Sequence, residues 1–298
     1  MEYKCNDCPR NCYALRDIEQ AKGICMSPSL CHVVRAAPHF GEEPCISGSR
    51  GSGAVFFSGC NLRCVFCQNR EISRSSAGKA LNHLQLRELF LRLRDEGVHN
   101  INLVTPSHYI REIRKALDGL ELGIPVVWNS SGYDKPEMLK ELEGLVQIYM
   151  PDLKYLKKEP AKRYSAAEDY PEVAAEAIKE MYRQTGAYKM DENGILQSGV
   201  LIRHLILPQQ DLNTMDVIDF VSEEFPKGSV LFSLMSQYTP MPWLKGFPEL
   251  QQTIDEETSI RLRDYMYKMG IEDGYWQDIA SASDEMIPEF DLTGLQGL

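Results

Sequence analysis

The sequence predicts an α/β fold built on a mostly parallel sheet, with a small cysteine-rich amino-terminal extension. Three observations point there. Six short apolar runs of strand character alternate with helical stretches, the pattern of parallel strands with helices on the outer face. The chain, at 298 residues and 43% hydrophobic, is long and apolar enough for one barrel-sized core plus an appendage. Nine cysteines in a chain without an export signal read as metal ligands rather than a disulfide framework.

Residues 1–50 form the cysteine-rich segment, with Cys5, Cys8, Cys12 and Cys25 in a C-x2-C-x3-C-x12-C spacing and Cys31 and Cys45 beyond. Close pairs separated by a longer gap staple a knob too small to bury an apolar core. Zinc on those four ligands satisfies the closed tetrahedral rule, and a second iron–sulfur cluster fits the same spacing. Cys31 and Cys45 receive no role.

Gly51-Ser-Gly53 marks the junction to a unit spanning 51–270, and Ala54–Phe57 is its first strand. A helix follows over Leu84–Arg94, with Leu86, Leu89, Phe90 and Leu93 on one face and Gly97 as its stop. Asn100–Val104 is the second strand, and Ser107 is the expected cap of a helix reaching Leu117. Ile124–Trp128 and Leu145–Met150 are the next strands, separated by a helix over Lys135–Leu142. Pro171–Thr185 is a helix with proline in its first turn and Gly186 after its end. Met190–Gly199 reads as a loop before the fifth strand, Val200–Leu207. A helix over Met215–Phe225 leads to the sixth, Ser229–Met235, and a last helix runs from Glu256 to Met269. Residues 271–298, aromatic but aperiodic, are expected to pack back on this unit.

The formal charge of −11 is uneven. From Glu249 onward there are 12 Asp/Glu against 3 Lys/Arg, which gives −9. An acidic surface repels phosphate backbones, so nucleic acid is disfavoured as a partner. The acidic end reads as a solvated face or as a docking surface for a basic partner. No run of about eighteen apolar residues marks a membrane span, and the start lacks a signal-peptide pattern, so the expected location is cytoplasmic. There is no Ser/His/Asp triad, Walker loop or G-x-G-x-x-G.

The chemistry concentrates in Ser58–Asn69, directly after the first strand, where Cys60, Cys64 and Cys67 stand in a C-x3-C-x2-C spacing. Three thiolates cannot complete the four-ligand shell of structural zinc, yet they can hold three irons of a [4Fe–4S] cube. The fourth iron is then open to a ligand that is not protein. An open iron on a reducing cluster is a reactive centre.

This spacing, with Phe66 directly before the last cysteine, resembles the cluster loop of the radical S-adenosylmethionine (SAM) superfamily. The resemblance implies a partial (β/α)6 radical SAM barrel and an open iron that chelates SAM. One electron then splits the sulfonium to a 5′-deoxyadenosyl radical, which abstracts a substrate hydrogen. Within the superfamily the chain resembles proteins like the pyruvate formate-lyase activating enzyme. The matching stretches are Cys8–Cys12, Glu42–Gly48, Phe56–Cys60, Asn100–Pro106, Pro151–Lys154, Val200–His204 and Leu234–Tyr238.

From that resemblance, SAM contacts are expected from Phe66, Thr105, Asn129, Ser131, Met150, Asp152 and Arg203 at the mouth of the barrel. Asn129-Ser-Ser-Gly132 stands where the activating enzyme has Asp-Thr-Asn-Gly, and Met150 and Asp152 match residues lining SAM and a monovalent cation. Asn129 replaces an aspartate of that cation site, which leaves the cation open. Arg203 offers a planar fork to the SAM carboxylate. Many members hold the SAM amino group with Gly-Gly-Glu where this chain has Thr105-Pro-Ser-His108, so Thr105 accepts through a hydroxyl without charge. His108, His204 and Gln237 are candidates for meeting SAM or substrate. The implied partners are an electron donor such as flavodoxin or ferredoxin and a glycyl-radical enzyme whose glycine is the hydrogen donor, acting in trans. The competing readings are a radical enzyme acting on a small molecule, peptide, another protein or nucleic acid, and a non-catalytic iron–sulfur or zinc protein.

Overall fold

The computed structural model describes residues 3–18, 22–277 and 288–298. Strands β1 (Tyr3–Lys4) and β2 (Leu15–Arg16) pair antiparallel as a small separate hairpin. The main sheet is built from β3 (Cys31–His39), β4 (Ser52–Phe57), β5 (Lys79–Leu81), β6 (Ile101–Val104), β7 (Val126–Ser130) and β8 (Ile148–Pro151). It continues through β9 (Lys189–Met190), β10 (Leu196–Leu205), β11 (Leu231–Met235) and β12 (Gly274–Gln277). The order is β12-β11-β10-β8-β7-β6-β4-β3-β5, with β9 beside β10. From β4 through β12 along this path every pairing is parallel. Antiparallel pairings join β3 to β4, β5 to β3 and β9 to β10.

The fold is therefore the α/β class expected, and all six anticipated strands lie in the parallel run. Strands β4, β6, β7 and β8 are buried at every residue, as parallel strands covered on both faces must be. Helices cover one face and build the main core with Leu89, Phe90, Ile113, Trp128, Ile178 and Phe232. The other face is covered by Cys45 and Ile46 of the helix Pro44–Ser47, packed on Val127, Ile148, Met150, Leu201 and Leu231. Cys31 and Cys45 are 0% and 1% exposed, small apolar residues of these two cores.

Several expectations are adjusted by packing. The helix His83–Asp95 is capped by Asn82, whose side chain takes the amides of Leu84 and Gln85 while Gln85 returns a bond to the Asn82 amide. Ser107 does not cap its helix: its side chain bonds Asp134, and a 3-10 turn over Ser107–Tyr109 leads into Ile110–Leu117. Lys135–Leu142 divides into Pro136–Leu139 and a 3-10 turn over Lys140–Leu142. Part of the expected loop Met190–Gly199 is strand, because β10 begins at Leu196 and folds back on β9.

Strand β12 extends the parallel run beyond the expected six. Gly274 is required there: its φ is +142°, and a Cβ would lie 1.9 Å from the Phe232 carbonyl oxygen. The sequence reading of 271–298 falls partly on residues 278–287, which lie outside the described residues. Beyond them, Phe290 packs edge-on against Phe56 at 5.6 Å, and Leu292 and Thr293 bond the backbone of β3.

Candidate active site

The loop Ser58–Asn69 leaves the carboxyl end of β4 and is tied down along its length. Gly59 donates to the Ile72 carbonyl at 2.8 Å, and Asn61 donates its amide to Tyr133 O at 2.7 Å. Arg10 of the amino-terminal segment donates to the carbonyls of Asn61 and Leu62 at 2.8 and 3.1 Å. Val65 is clamped between the Tyr164 carbonyl, 2.8 Å from its amide, and Trp243, whose indole N–H meets its carbonyl at 2.8 Å. The amides of Leu62 and Arg63 point at the Cys60 Sγ at 3.4 Å, and the Ser165 hydroxyl meets the Cys64 Sγ at 3.1 Å. Burial pushes the Cys60 thiol up to about 12, against the lowering effect of those amides. The thiols must give up protons as they bind metal, so metal supplies the compensation that burial removes.

A cavity of about 270 Å³ opens beside this loop at the carboxyl ends of the parallel strands. Cys60, Cys64 and Cys67 line it together with Phe66, Thr105, Asn129, Ser131, Asp152, Arg203 and Gln237. A second hollow of about 370 Å³, lined by Leu117, Pro125 and Gln197 among others, lies by the amino-terminal ends of β7 and β10 and gathers no reactive groups.

Charge is concentrated on the cavity floor. Arg203 donates to Asp152 Oδ1 at 3.1 Å, to Glu42 Oε2 at 3.0 Å and to Asn129 Oδ1 at 2.7 Å. Lys154 donates to Asp152 Oδ2 at 2.6 Å. Burial alone would raise the Asp152 carboxyl, but Lys154 and then Arg203 outweigh it and hold it below its ordinary value. Burial likewise opposes the charge on Lys154, yet Asp152 carries it up to about 12. Thr105 sits at φ +59°, a backbone region that a β-branched residue occupies only under strain. Such strain at the end of β6 fits a residue held for function.

Three expected contacts fall elsewhere. Met150 is fully buried in the cluster with Cys45 and Ile46, outside the cavity lining. His108 is fully buried with Nε2 2.8 Å from the Ser58 carbonyl, and burial lowers it to about 3. His204 points to the helical face, its ring bonded to the Leu153 carbonyl at 2.6 Å and the Thr214 hydroxyl at 3.0 Å. His204 has both ring nitrogens bonded, whereas His108 Nδ1 is buried without a partner; both are neutral core groups.

Other residues of the site escaped the sequence reading. Lys154, Gln68 and Tyr238 line the cavity, and Glu42 reaches its floor from the segment before Pro44. The signal for Lys154 was its place two residues after Asp152. The helix Lys158–Ser165, hidden by its charged Lys-Lys-Glu-Pro start, supplies Ser165 and Tyr164 to the cluster loop.

The lining fits the cube and its ligand. Three thiols share one loop, and Ser131 Oγ and Gln237 Oε1 are buried without a protein partner, free to meet a polar molecule. Among the described residues no trio of His, Cys, Asp or Glu side chains is already closed tightly enough to grip an ion. This applies to Cys60, Cys64 and Cys67 as to the amino-terminal cysteines, so loading either set requires the side chains to close.

The model of the Radical SAM superfamily matches residues 54–220. This chain belongs to the radical SAM superfamily. An uncharacterized protein of Methanocaldococcus jannaschii is 30% identical over 263 residues, covering 85% of this chain and 71% of that protein. Among solved structures, Streptococcus suis SuiB superposes with a TM-score of 0.52 at 16% identity over 78% of this chain, which speaks for the fold. This chain spans about half of SuiB, 52% of its length. A domain of pyruvate-formate lyase-activating enzyme from Bacteroides vulgatus ATCC 8482 matches 58% of this chain and 91% of that domain, at 13% identity and a TM-score of 0.39.

As a radical SAM protein the chain is an enzyme whose family uses a [4Fe–4S] cluster and SAM. Among the described residues no helix is long and apolar enough to cross a membrane.

Proposed function

We propose that this protein is a SAM-cleaving hydrogen abstractor of the activating-enzyme type, whose target is a glycine Cα in a partner glycyl-radical enzyme. The observation that carries the reading is the position of three thiols on one tethered loop at the rim of a cavity with unpartnered polar groups. Cys60, Cys64 and Cys67 would hold the cluster. A bound cluster, given one electron by a donor such as flavodoxin or ferredoxin, would supply the reductive cleavage of SAM to methionine and a 5′-deoxyadenosyl radical.

The protein's own part is binding, orientation and exclusion of water. Thr105, Asn129 and Ser131 offer neutral acceptors and donors along the strand ends, and Lys154 places a cation at the same rim. The Arg203 guanidinium is already engaged by Glu42, Asp152 and Asn129, so its role is to hold those acceptors in place. Phe66, with Tyr164 and Tyr238 edge-on at 6.5 and 6.3 Å, forms an apolar wall beside the thiols that keeps water from the reacting atoms.

Deuterium tracing tests the target. Reduced, cluster-loaded protein is incubated with SAM and a glycyl-radical enzyme deuterated at glycine Cα, and the 5′-deoxyadenosine is weighed by mass spectrometry. Deuterium in the product supports the reading. Deuterium arriving only from a small molecule or free peptide would replace the protein target.

A further inference from the structure

The amino-terminal segment from Tyr3 to Leu30 has almost no apolar interior. Apart from Ser27 and Pro28, its buried described side chains are three cysteines, Cys5, Cys8 and Cys25, with Asp7 and Arg16. Tyr13, Leu15, Ile18 and Ile24 are exposed instead. Two strands of two residues each cannot hold such a segment together, and a fold this small needs a staple.

A buried cation lies against one of these sulfurs. Arg16 is 2% exposed, and its guanidinium donates to the Cys25 Sγ at 3.1 Å and to the His108 carbonyl. The nearby carboxylate, Asp7, is bonded by Arg111 at 2.6 Å and by the Tyr3 hydroxyl at 3.0 Å. A buried cation facing a neutral thiol is costly, whereas one facing a metal-bound thiolate is compensated.

The fourth sulfur is close by. A Cβ built on Gly23 would meet the Cys12 Sγ at 3.4 Å and the Cys25 Sγ at 3.7 Å, so both flank one small space. Cys8 lies within electrostatic reach of Cys5, Cys12 and Cys25. The residue after Cys12, Tyr13, has φ +49°, and the one after Cys25, Met26, has φ +57°. Left-handed backbone at tyrosine and methionine persists only where its surroundings enforce it. Arg63, in the catalytic loop, has φ +61° and turns its amide to the Cys60 Sγ.

We propose that Cys5, Cys8, Cys12 and Cys25 form a closed four-thiolate metal centre that braces the radical-cluster loop from behind. The centre takes a tetrahedral zinc ion or an iron–sulfur cube; in either case the thiols lose their protons to solvent and the sulfurs close on the metal. The brace is direct. A Cβ on Gly59 would lie 2.4 Å from the Cys25 carbonyl oxygen, Arg63 donates to the Ile24 carbonyl at 3.1 Å, and Arg10, between Cys8 and Cys12, holds the Asn61 and Leu62 carbonyls.

The test uses the full chain with Cys60, Cys64 and Cys67 all changed to serine, which separates this centre from the radical chemistry. It is purified without oxygen and exposed either to zinc or to ferrous iron with sulfide, then desalted and analysed for metal. About one zinc, or about four irons with matching sulfide, is expected per chain. A further Cys8→Ser and Cys25→Ser exchange should remove it. Retention of zinc alone assigns an ion, and retention of iron and sulfide a cube. Should the variant not fold, alkylation of the unaltered chain serves: Cys5, Cys8 and Cys25 should resist modification until a chelator is added. No retained metal in folded protein under either loading, or disulfides among these cysteines in the oxygen-free preparation, would overturn the proposal.

Discussion

Arg203 and Asp152 join the fifth and fourth expected strands at their carboxyl ends, the guanidinium donating to the carboxylate at 3.1 Å as the backbones bridge in parallel. The same guanidinium bonds Glu42, and the side chains are 15%, 19% and 10% exposed for Arg203, Asp152 and Glu42. Removing one partner from such a network leaves the others uncompensated. Arg203→Ala should therefore lower unfolding free energy by about 3–5 kcal/mol, measured by denaturant titration. Arg203→Lys keeps the charge but loses the fork to three acceptors and should fall between the two.

Acid should destabilise the fold through Asp152. Its folded value is held below the unfolded one, so its contribution is complete above the unfolded carboxylate range and disappears as pH falls through the folded value. His204 adds to the same slope earlier. Burial lowers it to about 4, so between about 6.5 and 4 the unfolded chain takes a proton that the folded chain refuses. A His204→Gln variant should show a flatter loss of stability across that interval in thermal melts recorded against pH.

Gly59 has φ +80° and lies against Cys25 and Ser27 of the amino-terminal segment. Gly59→Ala should cost at least about 2 kcal/mol, from backbone strain and overpacking. Limited proteolysis should then cut residues 3–30 sooner than the rest of the chain.

Thr105 tests whether strain at the end of β6 serves binding. Thr105→Gly should leave stability within about 1 kcal/mol, because relief of the left-handed backbone offsets glycine's entropy. The dependence of turnover on SAM concentration should nevertheless shift to higher values, since a side chain of the cavity lining is gone.

The parallel core was legible because its strands are apolar runs separated by helices with clear stops, such as the stripe from Leu86 to Leu93. Strand β12 was not, because Gly274-Tyr-Trp-Gln pairs at an edge without alternation, and its glycine records a close approach visible only in three dimensions. Likewise β3 was masked by the cysteines around it, although Val33, Val34 and Ala36 are core residues. At the site, the thiols came from spacing, and the strand-end polar residues from the resemblance to activating enzymes. Glu42 did not, because its contact with Arg203 joins residues 161 apart in the chain. His204 misled because in a strand buried on both faces alternate side chains point to opposite cores, and its ring faces the helices rather than the cavity.

In the proposed enzyme, Cys60, Cys64 and Cys67 hold a cluster with one iron left to SAM. Anaerobically reconstituted protein, given dithionite and SAM, should form 5′-deoxyadenosine and methionine in equal amounts, and each Cys→Ala exchange at these positions should abolish both while the fold is kept. Folded, cluster-loaded protein that yields no 5′-deoxyadenosine, or yields it undiminished without Cys64, would contradict the account.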